Sequence, residues 1–163
     1  LSDHYDPTKK VVRLSPDVFR SSSISAIGVA AHETGHAVQH AKAYGPLVLR
    51  NTMVPVASIG SNLSWIIIIA GFIFGVMGLV KVGIVLFSVV VFFQLVTLPV
   101  EFNASTRAKA MLSSYGLIPE TELQGVGRVL SAAAMTYVAA AASSIMTLLY
   151  FLIRAGLLGG RDE

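Results

Sequence analysis

The chain has 163 residues, of which 54% are hydrophobic and only 13% charged, and its mean hydropathy is +0.71. An ordinary soluble domain carries about 25% charged residues, so this composition argues against a soluble protein and predicts a membrane protein. The net charge of +3 does not indicate a nucleic-acid partner, because no basic run is longer than Lys9-Lys10 and no aromatic residues alternate with basic ones. Without cysteine, only imidazole and carboxylate remain to hold a metal ion.

The N-terminal region of the chain is mixed in polarity and predicts short structured elements. Lys10–Leu14 is a β-prone run between turn signals, which predicts an edge strand. Three serines at 21–23 offer N-caps for a helix predicted from Ile24 to Ala43, which Tyr44-Gly45-Pro46 ends. The sequence begins with Leu1 rather than Met and shows no signal-peptide pattern, so we expect the native N-terminus to lie upstream.

Three apolar segments are long enough to cross a bilayer core of about 30 Å. Trp65–Val80 and Val82–Leu98 predict a membrane hairpin that turns at Lys81. Val129–Ile153 predicts a third span, rich in Ala and Ser as expected of a helix that packs closely against other helices. Between the second and third spans, Ser113–Gly127 contains Gly and Pro and predicts a connector with little structure of its own.

The predicted helix at Ile24–Ala43 contains the HExxH motif His32-Glu33-Thr34-Gly35-His36. The two histidines stack on one helix face and Glu33 lies about 100° round from His32, so the three side chains reach a shared point. This pattern is typical of one Zn²⁺ and one activated water, with Glu33 as the general base. Gly35 leaves room for another backbone to approach. The alternative is that both histidines are ordinary polar positions on a surface helix.

A catalytic zinc normally has three protein ligands, so the motif needs one more. His40 is excluded because it lies eight residues after His32, about 12 Å further along the helix axis. The metzincin pattern is also excluded, because Gln39 and Lys42 occupy the positions of its glycine and third histidine. A downstream carboxylate is therefore expected.

Glu101 is the expected third ligand. The other acidic residues after the motif lie in the connector or the tail: Glu120, Glu122, Asp162 and Glu163. Two membrane crossings return the chain to its starting side, so Glu101 should lie near the motif helix. It also belongs to a polar stripe that should face protein rather than lipid, made of Gln94, Thr97, Glu101 and Ser105. The alternative is an interfacial carboxylate paired with Arg107 or Lys109.

Two further histidines are weaker candidates for the site. His4 and His40 could each donate a hydrogen bond to an oxyanion, although a lone histidine is more often structural or solvated. Neither is assigned a role from the sequence.

The sequence resembles a known family, the bacterial membrane zinc metallopeptidases of the YugP type, or neutral zinc metallopeptidases. The resemblance covers nearly the whole chain and is carried by LSDHYDP at 1–7, VRLS at 12–15, AAHETGHA at 30–37, QLVTLPVEFNAS at 94–105 and TYVA at 136–139. It implies a zinc-dependent peptidase anchored in the membrane. By the same resemblance, His32, His36 and Glu101 are the zinc ligands and Glu33 is the catalytic base.

A looser similarity connects the chain to the HtpX group of membrane gluzincins, which separate HExxH from a Glu-x-x-x-Asp motif by a membrane hairpin. Glu101-Phe102-Asn103-Ala104 fits that pattern, but Ser105 stands where the Asp would be. In the pattern, the Asp holds a zinc-ligating histidine through its second ring nitrogen. Here we expect Ser105, Asn103 or a water in that role.

The expected fold class is mainly α: a membrane protein with about three transmembrane helices and a small zincin-like catalytic unit built on the HExxH helix with a short N-terminal strand. One integrated domain is expected, with four segments. These are the catalytic segment at residues 1–62, the hairpin at 63–100, the third-ligand helix and connector at 101–128, and the third span with the tail at 129–163.

The expected function is a membrane-embedded zinc endopeptidase that acts on polypeptides, either membrane proteins or unfolded chains. An extended substrate could pair with the strand near Val11–Leu14. The alternatives are a zinc-binding scaffold that cleaves nothing, and a membrane interaction protein whose HExxH is accidental. The excess of Lys and Arg on the HExxH side predicts a site on the cytoplasmic face of the inner (plasma) membrane. The sequence does not indicate an oligomeric state.

Overall fold

The structure, a computed structural model, describes residues 3–158 and is mainly helical. Two strands and a short helix come first: β1 (His4–Asp6), β2 (Val11–Arg13) and α1 (Pro16–Arg20). Four longer helices follow: α2 (Ile24–Ala41), α3 (Gly45–Ile73), α4 (Met77–Ser114) and α5 (Glu120–Arg154). Leu1, Ser2 and residues 159–163, which include Arg161, Asp162 and Glu163, lie outside the described residues.

The predicted strand is confirmed as β2, but its partner β1 was not predicted. The two strands are antiparallel, and Tyr5 of β1 pairs with Val12 of β2. Asp6 organises the turn between them, because its Oδ1 accepts the backbone N–H groups of Thr8 and Lys9, each at 3.0 Å. The bond from the Lys9 amide is the largest of the effects that lower the pKa of Asp6 below its usual value. The unpredicted strand is β1, and the turn at Asp6 joins it to β2.

The predicted motif helix is confirmed as α2, and one of the three serines caps it. The Ser23 side chain accepts the backbone N–H of Ala26 at 3.2 Å. The helix ends at Ala41, two residues before the predicted end, and Ala43 adopts a left-handed conformation with φ +47°. This turn lets the Tyr44 N–H donate to the carbonyl of Gln39 at 2.9 Å, which closes the end of the helix.

The hairpin turns at residues 74–76, so the prediction of a turn at Lys81 is wrong. Gly75 adopts φ +68°, and the Val76 N–H donates to the carbonyl of Gly71 at 2.9 Å, which is a glycine-based helix end. Lys81 instead lies exposed within α4. Lysine is a good helix former, so its charge does not end a helix, whereas a left-handed glycine does. The first apolar helix also begins at Gly45, well before the predicted Trp65.

The predicted connector Ser113–Gly127 is mostly helical, because only residues 115–119 separate α4 from α5. The carbonyl of Pro119 accepts the N–H of Glu122 at 2.9 Å and begins α5. Gly125 does not break this helix. A β-carbon there would lie 2.8 Å from Cδ1 of Ile24, so the glycine allows α5 to pack against the start of α2.

The chain forms two compact units. One contains residues 3–48 and Thr97–Thr136, with a buried core of Ala108, Leu112, Val126 and Leu130. The other contains Leu49–Val96 and residues 137–158, with a buried core of Ile68, Val80, Ile84, Phe87, Val91 and Phe151. Helices α3, α4 and α5 are each long and apolar enough to cross a membrane. The predicted division into four segments is not tested by these features and stays a prediction.

Candidate metal centre

Helices α2 and α4 bring two histidines and one carboxylate to a common point. His32, His36 and Glu101 each offer one ligand atom, and these atoms all lie within 4.8 Å of one another. Oε2 of Glu101 lies 3.1 Å from Nε2 of His32 and 3.6 Å from Nε2 of His36. Two imidazole nitrogens and a carboxylate oxygen form a donor set that suits zinc. The three residues could therefore hold a metal ion.

Burial separates Glu101 from Glu120 and Glu122, the other carboxylates after the motif that the structure describes. Glu101 is 2% exposed, which does not fit the alternative of a carboxylate at the membrane interface. Glu120 and Glu122 are exposed in the first turn of α5. The predicted polar stripe faces protein at three of its positions, since Thr97, Glu101 and Ser105 are buried.

The helix contact at this point uses the glycine of the motif, as the sequence predicted. Gly35 is buried and faces the backbone of Ala104 on α4, with no side chain between the two helices. The approach of the two backbones brings Glu101 within reach of both histidines.

The second ring nitrogen of each histidine has a hydrogen-bond partner. Nδ1 of His32 lies 3.1 Å from Oγ of Ser105, one of the partners expected from the sequence. Nδ1 of His36 lies 3.0 Å from Oε1 of Gln39. Asn103, the other expected residue, contacts Gln39 rather than a histidine. Partners of this kind orient the rings of metal-binding histidines.

Gln39 is a site residue that the sequence reasoning missed. Its position three residues after His36 places it on the same helix face, and this spacing was the available signal. In the sequence it stood out only as a departure from the metzincin pattern.

Glu33 lies beside the cluster and contacts the sheet. Its Oε2 accepts the backbone N–H of Tyr5, on β1, at 2.9 Å. The hydroxyl of Tyr5 lies 2.7 Å from Nδ1 of His40. His4 is exposed on β1 opposite Arg13, and it is not one of the residues that converge, which are His32, His36 and Glu101. The contact between Tyr5 and Glu33 could not be predicted from the spacing of the motif, because the two residues are 28 positions apart in the sequence.

Burial and the groups around His36 act on its pKa in opposite directions. Burial acts to lower the pKa of His36, but it is outweighed by the hydrogen bond and negative charge of Glu101, helped by Gln39 and Glu33. The net effect is a raised pKa. The same negative charge that attracts a proton attracts a metal cation.

Two histidines and a carboxylate converge here beside the glutamate of an HExxH motif, with His36 and Glu101 buried and His32 partly buried, which is the donor set expected of a zinc peptidase. The chain belongs to the family described as "Putative neutral zinc metallopeptidase", whose profile matches residues 1–156. The resemblance drawn from the motifs and the predicted zinc cofactor are thus confirmed.

The chain is also similar along its whole length to a named bacterial protein. It is 54% identical over 163 residues to "Putative membrane protease YugP" of Bacillus subtilis (strain 168), an alignment that covers 100% of this chain and 72% of the relative. No solved structure matches the chain significantly. The relative's name and the three apolar helices agree on a membrane protein.

Proposed function

We propose that the protein is a membrane-embedded zinc endopeptidase with His32, His36 and Glu101 as zinc ligands and Glu33 as general base. The observation that carries this proposal is the convergence of the three donor groups within 4.8 Å on two helices that meet at Gly35. Three protein ligands are the number found in catalytic zinc sites, which keep a position for water or substrate.

Zinc, when bound, supplies a Lewis acid that makes water acidic near neutral pH and polarises a peptide carbonyl. Glu33 accepts the proton of the attacking water and donates it to the nitrogen of the leaving amine. The backbone N–H of Tyr5 orients Glu33 by binding its Oε2. Within residues 3–158, no hydrogen bond to Oε1 of Glu33 is seen, so this oxygen is available for the water.

The proposed substrate is an extended polypeptide, from a membrane protein or an unfolded chain. Such a substrate can add to the edge of a sheet through main-chain hydrogen bonds, which gives loose sequence preference. The sheet of β1 and β2 lies beside Glu33, because the Tyr5 N–H of β1 binds Oε2 of Glu33, so we propose that substrate pairs with this sheet, at the strand Val11–Arg13. The three apolar helices hold this site at the bilayer, and the distribution of Lys and Arg supports a site on the cytoplasmic face of the plasma membrane.

The experiment makes two measurements on the full chain purified in detergent. Metal analysis should find about one zinc per chain, as expected for one three-ligand site. Incubation with an unfolded protein such as reduced casein should give cleavage that a chelator stops and added zinc restores. Bound zinc without cleavage would indicate a scaffold, and absence of bound metal would indicate an interaction protein; either outcome would overturn the proposal.

A further inference from the structure

Gln39 is a fully buried polar residue that makes three hydrogen bonds. It is 0% exposed. Its Oε1 lies 3.0 Å from Nδ1 of His36. Its Nε2 donates to the carbonyl of Val100 at 2.8 Å and to Oδ1 of Asn103 at 3.0 Å. A buried amide with this many partners has a fixed position and orientation.

The partners of Gln39 determine which nitrogen of His36 carries the proton. The carbonyl of Val100 can only accept, so the amide nitrogen of Gln39 must face it. The amide oxygen then faces His36, and an oxygen without hydrogen requires a proton on Nδ1. In the neutral ring, Nε2 therefore presents its lone pair, and Nε2 is the nitrogen that faces Glu101.

The same amide joins α2 to the turn of α4 that carries Glu101. Val100 directly precedes Glu101, and Asn103 follows it by two residues. Oδ1 of Asn103 also accepts Nε–H of Arg107 at 2.7 Å, so this oxygen faces two donors. Gln39 thus fixes the ring of one proposed ligand and the backbone beside another.

The contact at the other histidine is less restrictive. Ser105 meets Nδ1 of His32 with a hydroxyl, which can rotate and can either donate or accept. This contact permits both tautomers of His32. Gln39 is the partner that selects a tautomer.

We propose that Gln39 is a positioning residue: it holds the His36 ring with a proton on Nδ1 and ties the turn bearing Glu101 to it, so that Nε2 of His36 and the carboxylate of Glu101 are already oriented when zinc binds. This inference rests on the proposed zinc site.

The test compares three variants of the full chain in detergent. Gln39→Met has a similar length but makes no amide hydrogen bonds, and Gln39→Glu keeps an oxygen acceptor for His36. Val126→Ala is the control, because it removes buried apolar volume in the same compact unit and lies outside the metal-binding group. Two quantities are measured: the zinc dissociation constant, by competition with a chromophoric chelator, and the Tm of the metal-free protein.

Gln39→Met should weaken zinc binding about 10- to 100-fold, the usual effect of losing a residue that orients a metal ligand. Gln39→Glu should bind zinc more tightly than Gln39→Met even if its metal-free Tm is no higher. Val126→Ala should lower the Tm and leave the zinc dissociation constant unchanged. If Gln39→Met does not fold, Asn103→Ala, which removes one acceptor of the Gln39 amide, should bind zinc more weakly than wild type.

Wild-type zinc affinity in Gln39→Met, or in Asn103→Ala where that variant replaces it, would overturn the inference and leave the proposed function intact. Equal losses of zinc affinity in Val126→Ala and Gln39→Met would also overturn it, since the effect would then follow stability alone. A wild-type protein that binds no zinc would overturn the proposed function itself.

Discussion

A β-carbon on Gly35 of α2 would lie 2.5 Å from the carbonyl oxygen of Ala104 on α4. Real β-carbons do not approach backbone so closely, and a backbone carbonyl cannot turn aside as the end of a flexible side chain can. Gly35 directly precedes His36, and Ala104 lies three residues after Glu101. The distance between the two backbones therefore sets the distance between the proposed ligands.

Gly35→Ala should push α4 away from α2. We expect a loss of about 1–3 kcal/mol in the free energy of unfolding, the usual cost of overpacking, together with weaker zinc retention. Thermal unfolding and zinc content in detergent measure the two effects. Gly28→Ala is the matched control on the same helix, because its β-carbon would meet Cγ1 of Val126 at 3.4 Å, an ordinary contact. A Gly35→Ala protein with normal Tm and zinc content would contradict the role of this contact.

Glu33→Gln should keep zinc bound and lower peptidase activity by about 10² or more, the scale of losing a general base. The amide oxygen of Gln can still accept the Tyr5 N–H, so the local structure should persist. Activity on casein and zinc content are measured on the same preparation. Glu122→Gln, at an exposed position, serves as the control and should behave as wild type. Full activity in zinc-loaded Glu33→Gln would refute the proposed mechanism.

Glu101→Ala should remove one of three proposed ligands, and we expect it to abolish activity and weaken zinc retention. Zinc content after dialysis and cleavage of casein measure these effects. Glu120→Ala and Glu122→Ala change exposed carboxylates and should leave both near normal, because surface substitutions usually shift stability by only about 0.5 kcal/mol. If Glu120→Ala instead lost zinc while Glu101→Ala retained it, the assignment of the third ligand would be wrong.

The sequence predicted those features of the site that depend on spacing along a helix or on elimination. His32 and His36 are four residues apart. Glu101 is one of few acidic residues after the motif, and it is the one that belongs to the polar stripe. The contacts of Gln39 and Tyr5 could not be predicted, because they depend on how α2 packs against α4 and β1. A helix pattern shows which face a residue lies on, but not which atom of another element meets it.

The errors in the fold have a similar physical origin. The charge of Lys81 interrupts an apolar run and so suggests a turn there. A charged residue can nevertheless continue a helix, and Lys81 lies within α4. The left-handed conformation of Gly75 ends α3. Hydropathy does not indicate this turn, because the residues on both sides of Gly75 are apolar. In the connector, Gly125 is one of the Gly and Pro residues that predict little structure, yet it lies within α5, where the lack of a β-carbon leaves room for Ile24.

Removal of metal should destabilise the wild-type protein and spare the ligand variant. A ligand that binds only the folded state raises stability by about 2.7 kcal/mol when present at 100 times its dissociation constant. Chelator should therefore lower the Tm of zinc-loaded wild type, and zinc should restore it. The Tm of Glu101→Ala should respond little to either treatment. A wild-type Tm that is insensitive to chelator, in protein shown to contain zinc beforehand and none afterwards, would contradict coupling of the site to folding.

The last prediction concerns the orientation of the site in the membrane, which follows from Lys and Arg because acidic residues contribute little to topology. The topology predicted from the sequence places nine basic residues on the HExxH side of the membrane: Lys9, Lys10, Arg13, Arg20, Lys42, Arg50, Arg107, Lys109 and Arg128. Three lie on the other side: Lys81, Arg154 and Arg161. With three crossings, the site should face the cytoplasm and the C-terminus should lie outside.

A topology reporter fused after Glu163 should give the extracytoplasmic signal, and the same reporter fused after Pro119, between α4 and α5, should give the cytoplasmic one. Cytoplasmic signals at both positions would mean that α5 does not cross the membrane, and reversed signals at both would mean that the site faces outward.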